Sequence, residues 1–123
     1  MASLRITQHP GMSPGQQIPR NIDCFVIDHD VGRIRLLPDQ QIPLDIDCFV
    51  IGRESDCCHL AIPSWSVSRR HAQLRLQDEQ WSIEDLRTRN GTWVNGQRIR
   101  SRTPLSHNDE IRIPDFLAVF ENA

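Results

Sequence analysis

The chain has 123 residues, 38% of them hydrophobic and 6% aromatic, with a net charge of −2 at neutral pH. That length suits one domain with a core of its own, so neither a disulfide nor a metal staple is needed. The apolar runs are far too short to span a membrane, and the mildly acidic balance argues against a general nucleic-acid binder.

Residues 1–20, "MASLRITQHPGMSPGQQIPR", hold three prolines, two glycines and no acid. This composition predicts a flexible N-terminal tail ahead of a single domain over 21–123. The tail lacks the apolar core of a signal peptide, which implies a cytoplasmic location. Thr7 then hangs on a tether, where a phosphorylated form would be poised to enter a binding site of its own chain or of a partner.

The hexapeptide "IDCFVI" stands at 22–27 and again at 46–51. Its β-branched content predicts a strand both times. The first copy makes 21–30 an extra strand that either joins an edge of its own domain or pairs with a second molecule, giving a homodimer through residues 22–27. Further on, "RIRLL" (33–37), "HAQLRLQ" (71–77), "WSIEDL" (81–86) and "EIRI" (110–113) each alternate as half-buried strands do. Turn signals separate them: Pro38-Asp39, Asp78-Glu79, Asn90-Gly91, Asn95-Gly96 and His107-Asn108-Asp109. The two Asn-Gly pairs are the strongest hairpin signals and bracket a very short strand, "TWV". No stretch carries a helical period. Many short strands with frequent turns predict an all-β, antiparallel sandwich or barrel.

Cys57-Cys58-His59 invites a zinc reading, but the spaced pairs of a structural zinc site are absent. Without secretory features, Cys24, Cys48, Cys57 and Cys58 are expected as free thiols. No metal and no cofactor is implied. Trp65, Trp81 and Trp93 are expected to pack rather than to stack on bases.

Charge is more telling in its distribution. Residues 21–56 carry eight acids and three arginines, and residues 65–100 carry seven arginines and four acids. All fourteen cationic side chains are arginine, the side chain whose planar fork grips a carboxylate or phosphate in two places. The polar groups crowd into loops: Arg53 after Gly52, then Ser68, Arg69 and Arg70 before His71, then Thr88, Arg89, Asn90 and Gly91. If those loops share one end of a sandwich, they offer guanidinium, hydroxyl, amide and backbone N–H donors to one compact anion. A phosphate ester, with nearly two negative charges and three acceptor oxygens, fits that set.

The order Gly52-Arg53, Ser68-x-x-His71, Asp85-Leu86, Thr88-x-Asn90-Gly91-Thr92 and Asn95-Gly96 resembles the forkhead-associated domain, a phosphothreonine-recognition module. The resemblance covers residues 31–123. It implies a β-sandwich of about eleven short strands, with the binding loops at one end. It also implies that Arg53 and Ser68 contact the phosphate, that Arg69 touches phosphate or peptide, and that Asn90 holds the peptide main chain. His71 becomes structural, pinning the loop of Ser68, with Gly52, Thr88 and Gly91 as support. Arg89 stands where the family commonly has threonine, adding a cation that favours an acidic partner. The usual glycines around the turn at 106–109 are missing, with Pro114 in place of one.

The implied function is a signalling adaptor that binds phosphothreonine on a protein partner, without catalysis, nucleic acid or membrane. An enzyme lacks support, since no nucleophile, metal-binding acid set or phosphate-cradling glycine loop is present. A nucleic-acid binder built on "SVSRRH" and "RTRN" predicts steep salt dependence and no preference for phosphopeptides. A scaffold of the same fold without phosphate dependence is the remaining alternative.

Overall fold

The computed structural model describes residues 2–8, 25–28, 32–35, 41–44, 46–54, 56–62, 64–114 and 116–122. Period-two burial marks several of its strands. In Phe116–Asn122, Phe116, Ala118 and Phe120 are buried, while Leu117 and Val119 between them are half-buried. In Glu110–Ile113 only the two isoleucines turn inward. Such alternation lets one face of a sheet close a core while the other meets solvent.

Thirteen strands are described: β1 (Ala2–Gln8), β2 (Phe25–Asp28), β3 (Gly32–Arg35), β4 (Gln41–Pro43), β5 (Cys48–Gly52), β6 (Leu60–Ala61), β7 (Ala72–Gln77), β8 (Gln80–Asp85), β9 (Trp93–Val94), β10 (Gln97–Arg98), β11 (Thr103–Pro104), β12 (Glu110–Ile113) and β13 (Phe116–Asn122). They form two sheets, ordered β10-β9-β12-β13-β1-β4 and β11-β8-β7-β5-β6-β2-β3. Leu4, Ile6, Ile42, Ile111, Phe116 and Phe120 come from the first, and Ile51, Leu60, Leu74 and Ile83 from the second. These side chains make one core, in which Trp81 meets Phe120 edge-on with ring centroids 6.4 Å apart. The expected all-β sandwich stands, with two strands more than the family resemblance implies. Among the described pairings only β5 with β6 is parallel. No helix among the described residues is long and apolar enough to cross a membrane.

The expected flexible tail is corrected at its start. Residues 2–8 form β1, inserted between β13 and β4, with Leu4 opposite Phe120 on one side and Ile42 on the other. Ala2, Leu4 and Ile6 are buried, and Arg5 Nε donates to Glu121 Oε1 at 3.0 Å. The alternation Ala-x-Leu-x-Ile was present, but the proline- and glycine-rich run after it outweighed it in the composition. The sandwich therefore includes residues 2–8, ahead of residue 21. Thr7 lies within β1, beside a register shift against β13, rather than on a tether. Residues 9–20 lie outside the described residues.

The first "IDCFVI" is a strand over 25–28, with residues 22–24 outside the described residues. β2 is antiparallel to β3 on one side and to β6 on the other. β3 pairs with all four residues of β2, and β6 pairs with Phe25 and Val26, so the described part of the first copy joins its own sheet, with β3 at the edge. The second copy is β5, where Phe49, Val50 and Ile51 are all buried, as befits an inner strand.

The turns divide. Asp78-Glu79 joins β7 to β8 with both φ positive (52° and 64°), and Asn95-Gly96 joins β9 to β10 in the same way (51° and 82°). These are the primed hairpin turns that asparagine and glycine favour. Asn90-Gly91 is no hairpin: only Gly91 has positive φ (86°), and the pair belongs to the long β8–β9 loop. At the turn before β12 Asn108 takes the left-handed conformation (φ 73°) that a glycine would otherwise supply. Asp109 closes this turn by accepting from the Ser106 N–H at 2.7 Å, so the missing glycines leave it intact.

Candidate functional site

β5 ends at Gly52, and the ladder continues past it. The Arg53 N–H donates to the Ser68 carbonyl at 2.9 Å and the Glu54 N–H to the Arg69 carbonyl at 3.3 Å. This brings the β5–β6 loop against the β6–β7 loop, with Arg53 and Ser68 side by side. Gly52 permits the approach, because a Cβ there would overlap the Arg69 carbonyl oxygen and lie 2.8 Å from Cys58 Sγ. The buried Val67 anchors the middle of the second loop, leaving Ser68 half-buried and Arg69 and Arg70 exposed.

His71 fastens this loop to a third. Its imidazole is fully buried. Nδ1 accepts the Ser68 N–H at 3.0 Å, which leaves the ring proton on Nε2, where it donates to the Gly91 carbonyl at 2.7 Å. The ring is therefore neutral, and burial holds its pKa below the ordinary 6.5 against the opposing pull of Gly91 and Asp85. Asp85 Oδ1, 3.9 Å from Nε2, is consequently no ion-pair partner. His71 thus ties the Ser68 backbone to the Gly91 carbonyl through its two ring nitrogens.

Asp85 organises the third loop. It accepts the Thr88 hydroxyl at 2.6 Å, the Thr88 N–H at 3.0 Å and the hydroxyl of buried Thr92 at 2.8 Å. Burial acts to raise the Asp85 carboxyl, but the Thr88 and Thr92 hydrogen bonds outweigh it, and its pKa falls below the usual 3.8. The Thr88 oxygen in turn accepts the Gly91 N–H at 3.0 Å. Asn90 reaches back across the site, its Nδ2 donating to the Ser66 carbonyl at 2.8 Å. One amide hydrogen is spent on that bond, and the carbonyl oxygen of the side chain stays available. Gly91 combines its positive φ with close packing, since a Cβ would sit 2.6 Å from Arg98 Nε. Arg98 Nη2 also donates to the Arg89 carbonyl, at 3.2 Å.

All three loops thus meet at one end of the sandwich, as expected. Around the junction stand Arg53, Ser68, Arg69, Arg89 and Asn90, with Gly52, His71, Thr88 and Gly91 holding them. Among the described residues the Arg53 guanidinium has no carboxylate partner; it lies over the Trp65 ring, 5.2 Å from the centroid. The Ser68 hydroxyl and the Arg69 and Arg89 guanidiniums likewise find no protein partner among the described residues. What the junction can do chemically is receive an anion: a cation and a hydroxyl stand with their side-chain donors unspent, beside an amide that keeps one hydrogen and its oxygen.

Several contributors went unassigned by sequence reasoning. Asp85 and Thr92 belong to the motif but had no stated role, and Ser66 had no signal. Trp65 departs from expectation: it is 92% exposed, whereas Trp81 is buried and Trp93 half-buried beneath the Arg112 guanidinium at 4.3 Å. Within Cys57-Cys58-His59, the Cys58 and His59 side chains make hydrogen bonds to backbone groups. Cys58 Sγ donates to the Arg69 carbonyl at 3.0 Å, and His59 Nδ1 accepts the Val50 N–H at 2.9 Å. Burial pushes the Cys58 thiol up to about 12, so it stays protonated as that bond requires.

The two shifts carry a pH dependence of one sign. An unfolded imidazole gains a proton near pH 6.5 while the folded His71 stays neutral, so the unfolded state binds more protons below that pH. The His71 contribution is complete above pH 6.5 and declines as the pH falls towards the lower folded value. Asp85 adds a second loss as its folded carboxylate is protonated, below 3.8. Urea midpoints should fall on acidification through pH 6.5; a flat profile there would contradict the buried, neutral imidazole.

The comparisons agree with this arrangement. The model of the FHA domain matches residues 49–114. The glycogen accumulation regulator GarA of Mycobacterium tuberculosis is 40% identical over 69 residues, which is 56% of this chain and 41% of that protein. The chain thus matches less than half the length of this relative. The structure of Mycobacterium tuberculosis EmbR in complex with a low-affinity phosphopeptide superposes with a TM-score of 0.64 at 33% identity, over 89% of this chain and 26% of that one. The FHA domain of the CT664 protein from Chlamydia trachomatis, at 19% identity, shares the fold over 99% of this chain and 97% of that one, with a TM-score of 0.65. With the motif residues gathered at one end of the same sandwich, the chain belongs to the FHA domain family.

Proposed function

We propose that this domain binds phosphothreonine on protein partners and serves as a signalling adaptor without catalysing a reaction. The observation that carries this reading is the side-by-side placement of Arg53 and Ser68 with their donors unspent. Both are held by backbone bonds and by a buried, neutral imidazole. Such preorganised donors suit a dianionic phosphate, whose oxygens accept charge-assisted hydrogen bonds. Arg69 supplements the charge from the rim. Asn90 orients the peptide main chain through its free amide atoms while it ties its own loop to Ser66. Arg89, exposed on the third loop, favours an acidic residue near the phosphothreonine. The EmbR relative was captured with a phosphopeptide, which supports the same use of this fold. Cytoplasmic partners, accessible to ATP-dependent kinases, fit this role.

Calorimetric titration of matched peptides tests the reading. The phosphothreonine form should bind at micromolar strength and its unphosphorylated twin far more weakly. Equal binding of the two would reduce the domain to a scaffold. The family's small pocket for the threonine methyl group implies a further preference. Burying one methyl is worth about 0.8 kcal/mol, so phosphothreonine should bind about fourfold more tightly than phosphoserine in the same peptide. Identical affinities would remove the pocket from the account.

A further inference from the structure

Trp65 is the feature that the reading so far leaves unused. Tryptophan is among the most buried side chains on average, yet this one is 92% exposed. Its neighbours on the chain are tightly fixed: the Ser66 carbonyl is clasped by Asn90, and Val67 is buried. The ring is therefore presented from a fixed segment. It also lies within the phosphate-receiving junction, with the Arg53 guanidinium 5.2 Å from its centroid. A guanidinium drawn to the face of an indole at this distance still keeps its N–H donors for an anion. Most of the ring surface remains uncovered beside them.

We propose that Trp65 is the apolar half of the recognition surface and receives an aromatic, methionine or long aliphatic side chain flanking the phosphothreonine of the bound peptide. This rests on the phosphothreonine reading and names the substrate class within it. A peptide held by Arg53 and by Asn90 passes between them, and Trp65 adjoins both, through the guanidinium on one side and Ser66 on the other. A large side chain from that peptide covers the indole, which removes apolar surface from water on both partners. Exposed aromatic anchors of this kind dominate the energetics of many interfaces.

The test compares phosphothreonine peptides that carry leucine, phenylalanine or alanine at each flanking position, titrated into the wild-type chain and into Trp65→Ala and Trp65→Phe. The selectivity ratio, apolar over alanine, is the readout, because a Trp65 that merely orients Arg53 would weaken every peptide alike. At one position the wild-type ratio should be about tenfold. Trp65→Ala should abolish the ratio and Trp65→Phe should retain part of it. The difference in fluorescence between wild type and Trp65→Phe should shift to the blue when the apolar peptide binds. Phosphate-dependent binding with the same ratio in wild type and Trp65→Ala would overturn this inference and leave the phosphate site standing. Binding without phosphate dependence would overturn both. Self-association of the free chain that vanishes in Trp65→Ala, with the ratio unchanged, would assign the ring to a second copy and overturn the inference as well.

Discussion

Replacing His71 with alanine is expected to lower the stability of the domain by about 3 kcal/mol and its phosphopeptide affinity with it. The imidazole is fully buried and spends both nitrogens on backbone groups of two different loops, Ser68 and Gly91. Alanine leaves that N–H and that carbonyl without their partners, and it opens a cavity under the junction. Each unsatisfied buried group costs about 1–3 kcal/mol, and some relief comes from water entering the space. The Ser68 loop then loses its tie to the Gly91 loop, so stability and binding fall together. Urea unfolding beside a peptide titration checks both. A variant of unchanged stability with lost binding would place His71 in contact with the ligand instead.

Arg53→Ala is expected to separate the same two properties. The side chain is half-buried just past a strand end, 5.2 Å from the centroid of an exposed ring, and contributes no hydrogen bond to the core. Its removal should leave the unfolding midpoint nearly unchanged. Binding of a phosphothreonine peptide should weaken by roughly 2–4 kcal/mol, about thirtyfold to a thousandfold, because a charge-assisted contact in a partly desolvated site is lost. Arg53→Lys should recover only part of this, since an ammonium keeps the charge and loses the planar fork. Fluorescence anisotropy with a labelled phosphopeptide measures the difference. Full affinity in Arg53→Ala would move the phosphate away from this loop.

What was legible in the sequence follows the locality of the interactions. β7 and β12 are read from alternation because their burial is decided within six residues or fewer each, whereas β8 buries Trp81, Ser82 and Ile83 in a row. Asn95-Gly96 is read from the φ values those residues favour. β1 and β13 are a different case. They pair across nearly the whole chain, Ala2 with Asn122, and each is stabilised by a partner that no local window contains. Composition then misleads, and the prolines and glycines after Gln8 hid a strand buried between two others. The site shows the same division. Arg53, Ser68, His71 and Asn90 announce themselves by type and spacing within a known motif. The bond from Asn90 to Ser66 and the contact of Cys58 with the Arg69 carbonyl depend on loops that meet only in the folded chain. Trp65 was expected inside because large aromatics usually are, and only the geometry of its loop places it in solvent.

The measurement closest to the central claim is an NMR titration of the chain with one peptide in its phosphothreonine and unphosphorylated forms. The account predicts that only the phosphorylated peptide shifts the backbone amides of residues 52–54, 66–71 and 88–91, in proportion to occupancy. The same shifts from the unphosphorylated form, or shifts concentrated on the β3 edge instead of these loops, would contradict it.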